Sequence, residues 1–483
     1  MDRTGTIFGN PIDERTIKKA ERSKAKFIAK FGDDSKKVYH LGLKSVDQIE
    51  EIRIDQLVLA EEPLTLPENA FIVGNIRMGF GHYRISLAIA SCAQALGFRP
   101  IWFDLASFDC TGSKMIRSQN DLYSLGSRIS QKSRLFNAVV WEPMNSEGFR
   151  KLTYNAVDQK NSELLVPLFR DIPKDTPYAA THVWPSQAAV HAGMTAVVNA
   201  IPDNWPMGLH LSEGAIHTVQ TPFAYMGYKK LNGMAKMPLK PMPDDALFDV
   251  GHYVDHELVS NIEQDCERRI NRAQKGRPVR FLLTVGGAGA GADLYLAMTK
   301  HIISYVKKHQ ASLYINFGDH LDMWEFFKKN IPGIEKRTRK FFNRYDALHE
   351  LAGNMDHIRE TGITAICNKD IFEAVYSTNL LMRKIDVLVT KPSELSFYPV
   401  PKLMMKHIGG HEVYGAIHAQ EIGDSTFECK TKSELCSMID SLIRDRRMLI
   451  SMNEHILKGK GEKIYDGGYE VVRLAASAAG KEI

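Results

Sequence analysis

Two glycine loops, each set between an apolar run and a helix-like pattern, hold the residues best suited to chemistry. The first lies in FIVGNIRMGFGHYRISLAIA (71–90), where Gly79 and Gly81 are followed at once by His82 and then Arg84. The second lies in RFLLTVGGAGAGADLYLA (280–297), with Gly286, Gly287, Ala288, Gly289 and Gly291. Backbone N–H groups at a helix start lack intrahelical partners and face the positive end of the macrodipole, so such loops suit phosphate. Glycine lets the anion approach the backbone closely. An imidazole directly after such a loop could act as a base or a donor. Arg84, one turn into the helix, is either a cation for a departing anion or an ordinary surface arginine. Asp203 follows the apolar run TAVVNAI (195–201) and stands beside Trp205. It is a second candidate base, with an Asx turn as the alternative. His182 and Trp184 end the preceding strand pattern and either line a site or pack in the core.

These residues need strands to present them. A strand–loop–helix unit opens at Phe71, and further strands read at RPIWFDL (99–105), Tyr178–Thr181 and Thr195–Ile201. The segment from Ser107 to Lys160 reads as mostly helical, and a helix is expected over 256–273. A second series reads at RFLLTV, ASLYINF (311–317), TAIC (364–367) and IDVLVT (385–390). In open α/β sheets ligands sit beyond the carboxyl ends of the strands. Three prolines in MAKMPLKPMPDD (234–245) cannot continue a helix or a central strand, which makes this the best linker. The expected division is an N-terminal extension (1–68), a Rossmann-like domain (69–236), a linker (237–250), a second Rossmann-like domain (251–450) and C-terminal helices (451–483). The purpose of the charged, aromatic insertion at 319–362 is left open.

A chain of 483 residues exceeds one ordinary core. With 44% hydrophobic and 25% charged residues it reads as globular. Its net charge of +5 is mild for the length and does not by itself argue for nucleic acid. The basic stretch IKKAERSKAKFIAKF (17–31) reads as a solvated helix, with a patch for anionic lipid or substrate as the sharper alternative. Six cysteines without a CxxC pair read as reduced thiols of a cytoplasmic protein. No signal-peptide core and no run of 18 apolar residues is present, which leaves peripheral membrane contact as the route to a lipid surface. No His/Asp/Glu spacing compels a metal, and no GxSxG elbow occurs.

Four motifs in order carry a resemblance: GFGHYR (79–84), TVGGAGAG (284–291), DVLVTKPSEL (386–395) and GGHE (409–412). Together they resemble the family 28 glycosyltransferases. That group includes the monogalactosyldiacylglycerol synthases, the processive diacylglycerol glucosyltransferases and the lipid II N-acetylglucosaminyltransferase. The resemblance implies an α/β GT-B fold, two Rossmann-like domains facing across a cleft. It implies an inverting, metal-independent transfer from a UDP-sugar or related nucleotide sugar to a hydroxyl acceptor, a lipid-linked one among the candidates. No cofactor beyond the nucleotide-sugar donor is implied. Gly286, Gly287, Ala288 and Gly289 would hold the diphosphate, and Gly79, Gly81 and His82 would close over it. Lys391, Ser393 and Glu394 would meet the donor, His411 and Glu412 its sugar, while Cys367 and Asn368 end the strand that lines the base. His411 stands where relatives carry Gln, and Glu394 comes earlier than their ribose-binding Glu.

Three other readings compete. A nucleotide-sugar epimerase or hydrolase would keep the fold and change the reaction. A non-enzymatic nucleotide-sugar-binding protein would keep only the site. Residues 287–292 also fit the dinucleotide fingerprint GxGxxA, but the next acidic residue, Asp319, comes later than a dehydrogenase requires.

Overall fold

The structure, a computed structural model, describes residues 3–77, 80–132, 143–285, 291–357 and 361–482. Its contacts divide the chain into two compact units. One runs through His256 and includes residues 409–411 and the chain from Asp466; the other comprises Glu257–Ile408 and Glu412–Tyr465.

The first unit opens with a small antiparallel pair, β1 (Thr6–Ile7) and β2 (Asn10–Pro11). Its main sheet has eight strands: β3 (Leu41–Val46), β4 (Ile54–Leu59), β5 (Ala70–Asn75), β6 (Arg99–Asp104), β7 (Tyr178–Ala180), β8 (Val197–Ala200), β9 (Ile216–Val219) and β10 (Leu247–Asp249). Their spatial order is β10-β9-β8-β7-β5-β6-β4-β3, and only the β3–β4 pair is antiparallel. All six residues of β5 and all four of β8 are buried, as expected of central parallel strands covered on both faces. Gly74 of β5 has a steric reason: a Cβ there would coincide with the Tyr178 hydroxyl of β7.

Helix Phe80–Ala95 follows β5 and is buried continuously from Tyr83 to Ala93, so it lies inside the unit rather than on its surface. The last helix, Gly467–Ala478, packs against it. Gly468 allows this approach, because a Cβ there would meet the Cys92 sulfur.

Residues 1–68, expected as an extension, contribute two strands to this sheet. Arg99 at the start of β6 grips Asp55 of β4 through two 2.8 Å hydrogen bonds. The boundary between units falls at His256–Glu257, beyond the expected linker at 237–250. The proline-rich stretch is a surface excursion, and the chain then returns to add β10 as the parallel edge strand beside β9.

The second unit is built on an all-parallel sheet of six strands: β11 (Val279–Thr284), β12 (Ala311–Asn316), β13 (Thr338–Phe342), β14 (Ile363–Cys367), β15 (Val387–Thr390) and β16 (Lys402–Met404). The order is β13-β14-β12-β11-β15-β16. Phe281, Leu283, Leu313, Ile315, Phe317, Trp324 and Phe327 are part of its core. Two strands go beyond the sequence reading. β13 (TRKFF) is an edge strand with an exposed, charged middle, and it lies within the 319–362 insertion together with helices Leu321–Asn330 and Tyr345–Asn354. β16 is three residues long and buries Lys402 against Asp424 at 2.6 Å. Two Rossmann-like parallel-sheet units in one chain agree with the expected α/β, GT-B class of fold.

Candidate functional site

In the first unit three adjacent strands, β5, β7 and β8, deliver polar groups at their carboxyl ends. β5 leads to His82, which lies in the first turn of helix Phe80–Ala95. β7 leads to Thr181 and His182, and β8 leads to Asp203. The His82 Nδ1 lies 2.6 Å from the Thr181 carbonyl oxygen. A carbonyl can only accept, so Nδ1 carries the proton, and in that tautomer Nε2 is the nitrogen that can take another. Ser86, one turn on, lies 2.8 Å from both the His82 carbonyl and the Thr181 hydroxyl, fixing this turn against the end of β7.

The ring of His182 lies edge-on to that of His82, with centroids 5.0 Å apart. His182 caps helix Val183–His191, its Nδ1 accepting from the Trp184 backbone N–H at 3.2 Å. Protonation at Nδ1 would break that cap. Burial, aided by the neighbouring His82 and His210, depresses the His182 pKa well below its ordinary value, so the ring is neutral.

Asp203 Oδ2 meets His210 Nε2 at 2.9 Å. His210 itself is 4% exposed, and its carbonyl accepts from the Asn199 side chain of β8 at 2.6 Å. Burial alone would raise the Asp203 pKa, but the hydrogen bond and charge of His210 outweigh it, with His411 and His82 adding to the depression. Asp203 is therefore an anion held by imidazoles. A group that releases its proton so readily is a poor base near neutrality, because a general base works best with a pKa near the operating pH.

Behind Trp184 lies Asp158 of helix Leu152–Ser162, 3% exposed. Burial pushes its carboxyl up to about 7, with the Trp184 indole beside it opposing the rise. Arg84 is buried at 5% exposure, so it is not the surface arginine that its sequence context allowed.

In the second unit the carboxyl ends of the neighbouring strands β11 and β15 carry the other motifs. Gly291, in the left-handed region with φ of 80°, precedes helix Ala292–Val306. Gly286, Gly287, Ala288 and Gly289 lie outside the described residues, as does Gly79 of the first loop. Lys391 follows β15, and its Nζ lies 2.8 Å from Glu412 Oε1. The other carboxylate oxygen of Glu412 accepts from the Ile408 backbone at 2.7 Å. Burial would lower the Lys391 pKa, but Glu412 and Glu394 together drive it above the ordinary lysine value. The Lys-Pro-Ser turn is thereby tied to Glu412. Ser393 closes the first of these turns through its N–H to the Lys391 carbonyl at 2.8 Å.

Cys367 and Asn368 end β14, two strands from β11. The Asn368 amide donates to Ser377 Oγ at 2.9 Å, so this side chain braces the helix that follows, Ile371–Met382. Burial, with Asp319 and Asp322 nearby, pushes the Cys367 thiol up to about 11, so it is a neutral thiol.

The structure thus gathers His82 and Asp203 in the first unit, and Lys391, Ser393, Glu394 and Glu412 in the second. His411 groups with the first unit. The sequence reading missed His210 and Thr181. His210 lies seven residues past Asp203 in a polar turn with no motif, and Thr181 acts through its backbone, which no side-chain pattern reports. All six cysteines are free, five of them buried. Among the described residues no cluster of three or more His, Cys, Asp or Glu could hold a metal, and no helix is long and apolar enough to cross a membrane.

Comparison with known proteins divides the chain much as its sheets do. Residues 6–230 match a family model described as a domain of unknown function (DUF6937), and residues 242–476 match a second (DUF6938). No curated protein matches the chain. Solved structures similar to it include the UDP-GlcNAc 2-epimerase from Neisseria meningitidis bound to UDP-GlcNAc. That likeness has 11% identity and a TM-score of 0.42, covering 84% of this chain and 100% of that one. The α,α-trehalose 6-phosphate synthase from Burkholderia multivorans gives 10% identity and 0.45, covering 86% and 100%. A glycosyltransferase from Rickettsia africae ESF-5 gives 10% and 0.40, covering 85% and 99%. Likenesses this distant bear on no residue, and the site is read from its own geometry.

Proposed function

We propose that this protein is a glycosyltransferase that moves a sugar from a nucleotide-diphosphate donor to a hydroxyl acceptor, with inversion and without a metal. The observation that carries this reading is the His82–Thr181 contact, set among His182, Asp203 and His210 at the carboxyl ends of three parallel strands. It supplies one imidazole whose Nδ1–H tautomer makes Nε2 the basic nitrogen, beside one imidazole held neutral and one carboxylate held ionised.

In the proposed step His82 Nε2 takes the proton of the acceptor hydroxyl as its oxygen bonds to the anomeric carbon. The bond from that carbon to the diphosphate oxygen breaks, and the nucleoside diphosphate leaves with the electron pair. Asp203, anionic through His210, would stabilise the imidazolium that His82 becomes. Arg84 is assigned to the departing charge. The loop at Gly286–Gly289 is assigned to the diphosphate by its motif, where each charge-assisted hydrogen bond would contribute about 1.5–3 kcal/mol. Lys391, Glu394 and Glu412 are assigned to the donor sugar and ribose, and Cys367 to the wall beside the base. UDP is the proposed nucleotide and a lipid-linked hydroxyl the proposed acceptor, which follows the resemblance to family 28.

The test is nucleotide release from a panel of nucleotide sugars, with and without lipid and water-soluble acceptors. Release that depends on acceptor and yields a glycoside supports transfer. Conversion of the donor to another sugar, or to free sugar, with no acceptor present would replace it by epimerisation or hydrolysis. Nucleotide binding with no turnover would leave a binding protein.

A further inference from the structure

The amino-terminal edge of the second sheet holds a hollow of about 680 Å3. Its floor is made where β11 and β12 begin, at the directly paired residues Arg280 and Ser312. The donor motifs lie at the other end of these strands, four residues or about 13 Å away. This is a separate site.

Its lining is cationic. Arg268, Arg272, Lys275, Arg277 and Arg280 face it together with His357, against two carboxylates, Glu267 and Asp356. The acids behind the wall do not cancel the excess. Asp386 engages Arg272 at 3.0 Å, and Asp265 engages Arg268 at 2.7 Å and Arg383 at 3.2 Å. Asp356 is shared by Lys384 at 2.7 Å, Arg280 at 3.6 Å and Arg268 at 3.7 Å, and Arg446 reaches the Arg277 carbonyl at 3.1 Å. Lys275 and Arg277 are exposed at the rim, with no carboxylate within ion-pair distance among the described residues. Arg280 is 5% exposed, and burial followed by repulsion from Arg272 pulls its pKa below the ordinary value. Crowded guanidinium groups with too few counter-charges favour an anion, and arginine forks suit phosphate oxygens in particular. The volume lies within the roughly 300–1,000 Å3 of small-molecule sites.

We infer that the hollow at Arg272, Lys275, Arg277 and Arg280 is a second binding site, remote from the donor motifs, for a small phosphorylated metabolite carrying at least two negative charges. The inference does not depend on the proposed transferase activity. A neighbouring hollow of about 320 Å3, with Lys336, Arg337 and Arg339 in its lining, continues the basic character along the same strand edge. An anionic membrane is therefore the competing occupant. Its flatness fits a concave hollow poorly.

The experiment is calorimetric titration of the full chain with sodium pyrophosphate, for the wild type, for Lys275→Glu/Arg277→Glu and for Lys391→Ala. Both rim residues are exposed, so the double variant should keep the wild-type Tm. The expected result is saturable binding that weakens at least tenfold in the double variant and persists in Lys391→Ala. No saturable binding, or binding that only Lys391→Ala abolishes, overturns the inference. So does wild-type binding to phosphatidylserine vesicles that the double variant loses and pyrophosphate does not displace.

Discussion

The His82 side chain and the Thr181 backbone are 99 residues apart in sequence, yet His82 Nδ1 lies 2.6 Å from the Thr181 carbonyl oxygen. The contact joins the first turn of a buried helix to the end of a neighbouring strand, and it decides which imidazole nitrogen can take a proton. Loss of a general base typically lowers the rate by about 10²–10⁴-fold. His82→Ala is expected to lower kcat within that range while the calorimetric affinity for UDP stays within twofold. Retained kcat with weakened UDP binding would instead make His82 a binding residue.

Asp203 and His210 give a distinguishable outcome. Asp203 is already ionised far below neutrality, so the pH profile of kcat/KM should show no inflection from it between pH 5 and 8. Asp203→Asn should lower kcat through the lost charge beside His82, with KM for the donor unchanged. An acid limb that moves in Asp203→Glu would make this carboxylate the base.

Much of this arrangement was legible in the sequence, for physical reasons. Central parallel strands are buried on both faces, so FIV of AFIVGN, VV of VVNA, FLL of VRFLLT and VLV of VLVT stand out as short apolar runs. The helix Phe80–Ala95 was legible only as one apolar face, from Ile85, Leu87, Ala88 and Ile89, and its nearly complete burial, Arg84 included, was not. Edge strands escape this logic: TRKFF exposes arginine and lysine, and KLM carries a lysine whose burial depends on Asp424, 22 residues later. The same holds within the site. His82 was visible because it follows a glycine loop, whereas His210 is brought to Asp203 by a short turn that the sequence does not mark.

The Lys402–Asp424 pair is fully buried, and Lys402 also donates to the carbonyls of Tyr398 and Val400 at 2.8 and 3.1 Å. Burial pushes both groups toward their neutral forms, and their mutual attraction opposes this. Removing one partner strands the other. Lys402→Met should destabilise the second unit by about 3–5 kcal/mol, read by denaturant unfolding. Lys402→Met combined with Asp424→Leu should recover most of that loss.

Asp158 makes stability depend on pH. Its folded pKa of about 7 lies above the ordinary carboxyl value of 3.8, so the folded state holds the proton more tightly than the unfolded one. The stability this confers is complete below about pH 3.8 and is lost as pH rises to about 7. Asp158→Asn removes the cost of the buried charge. Its Tm should exceed that of the wild type more at pH 8 than at pH 5, and an equal difference at both would contradict the assignment.

Lys391 is drawn to Glu412 and Glu394, which ties the turn after β15 to Glu412. Lys391→Ala should weaken UDP binding at least tenfold, about 1.4 kcal/mol, measured by calorimetry. Unchanged UDP affinity would leave the Lys391–Glu412 contact a purely structural tie.

The most direct measurement is acceptor-dependent release of nucleoside diphosphate by wild type and His82→Ala, at saturating donor and with folding verified by Tm. The expected result is a glycoside product from the wild type and a rate at least 100-fold lower in the variant. Equal rates in the two proteins, or release from the wild type that ignores the acceptor, would contradict transfer by a His82 base.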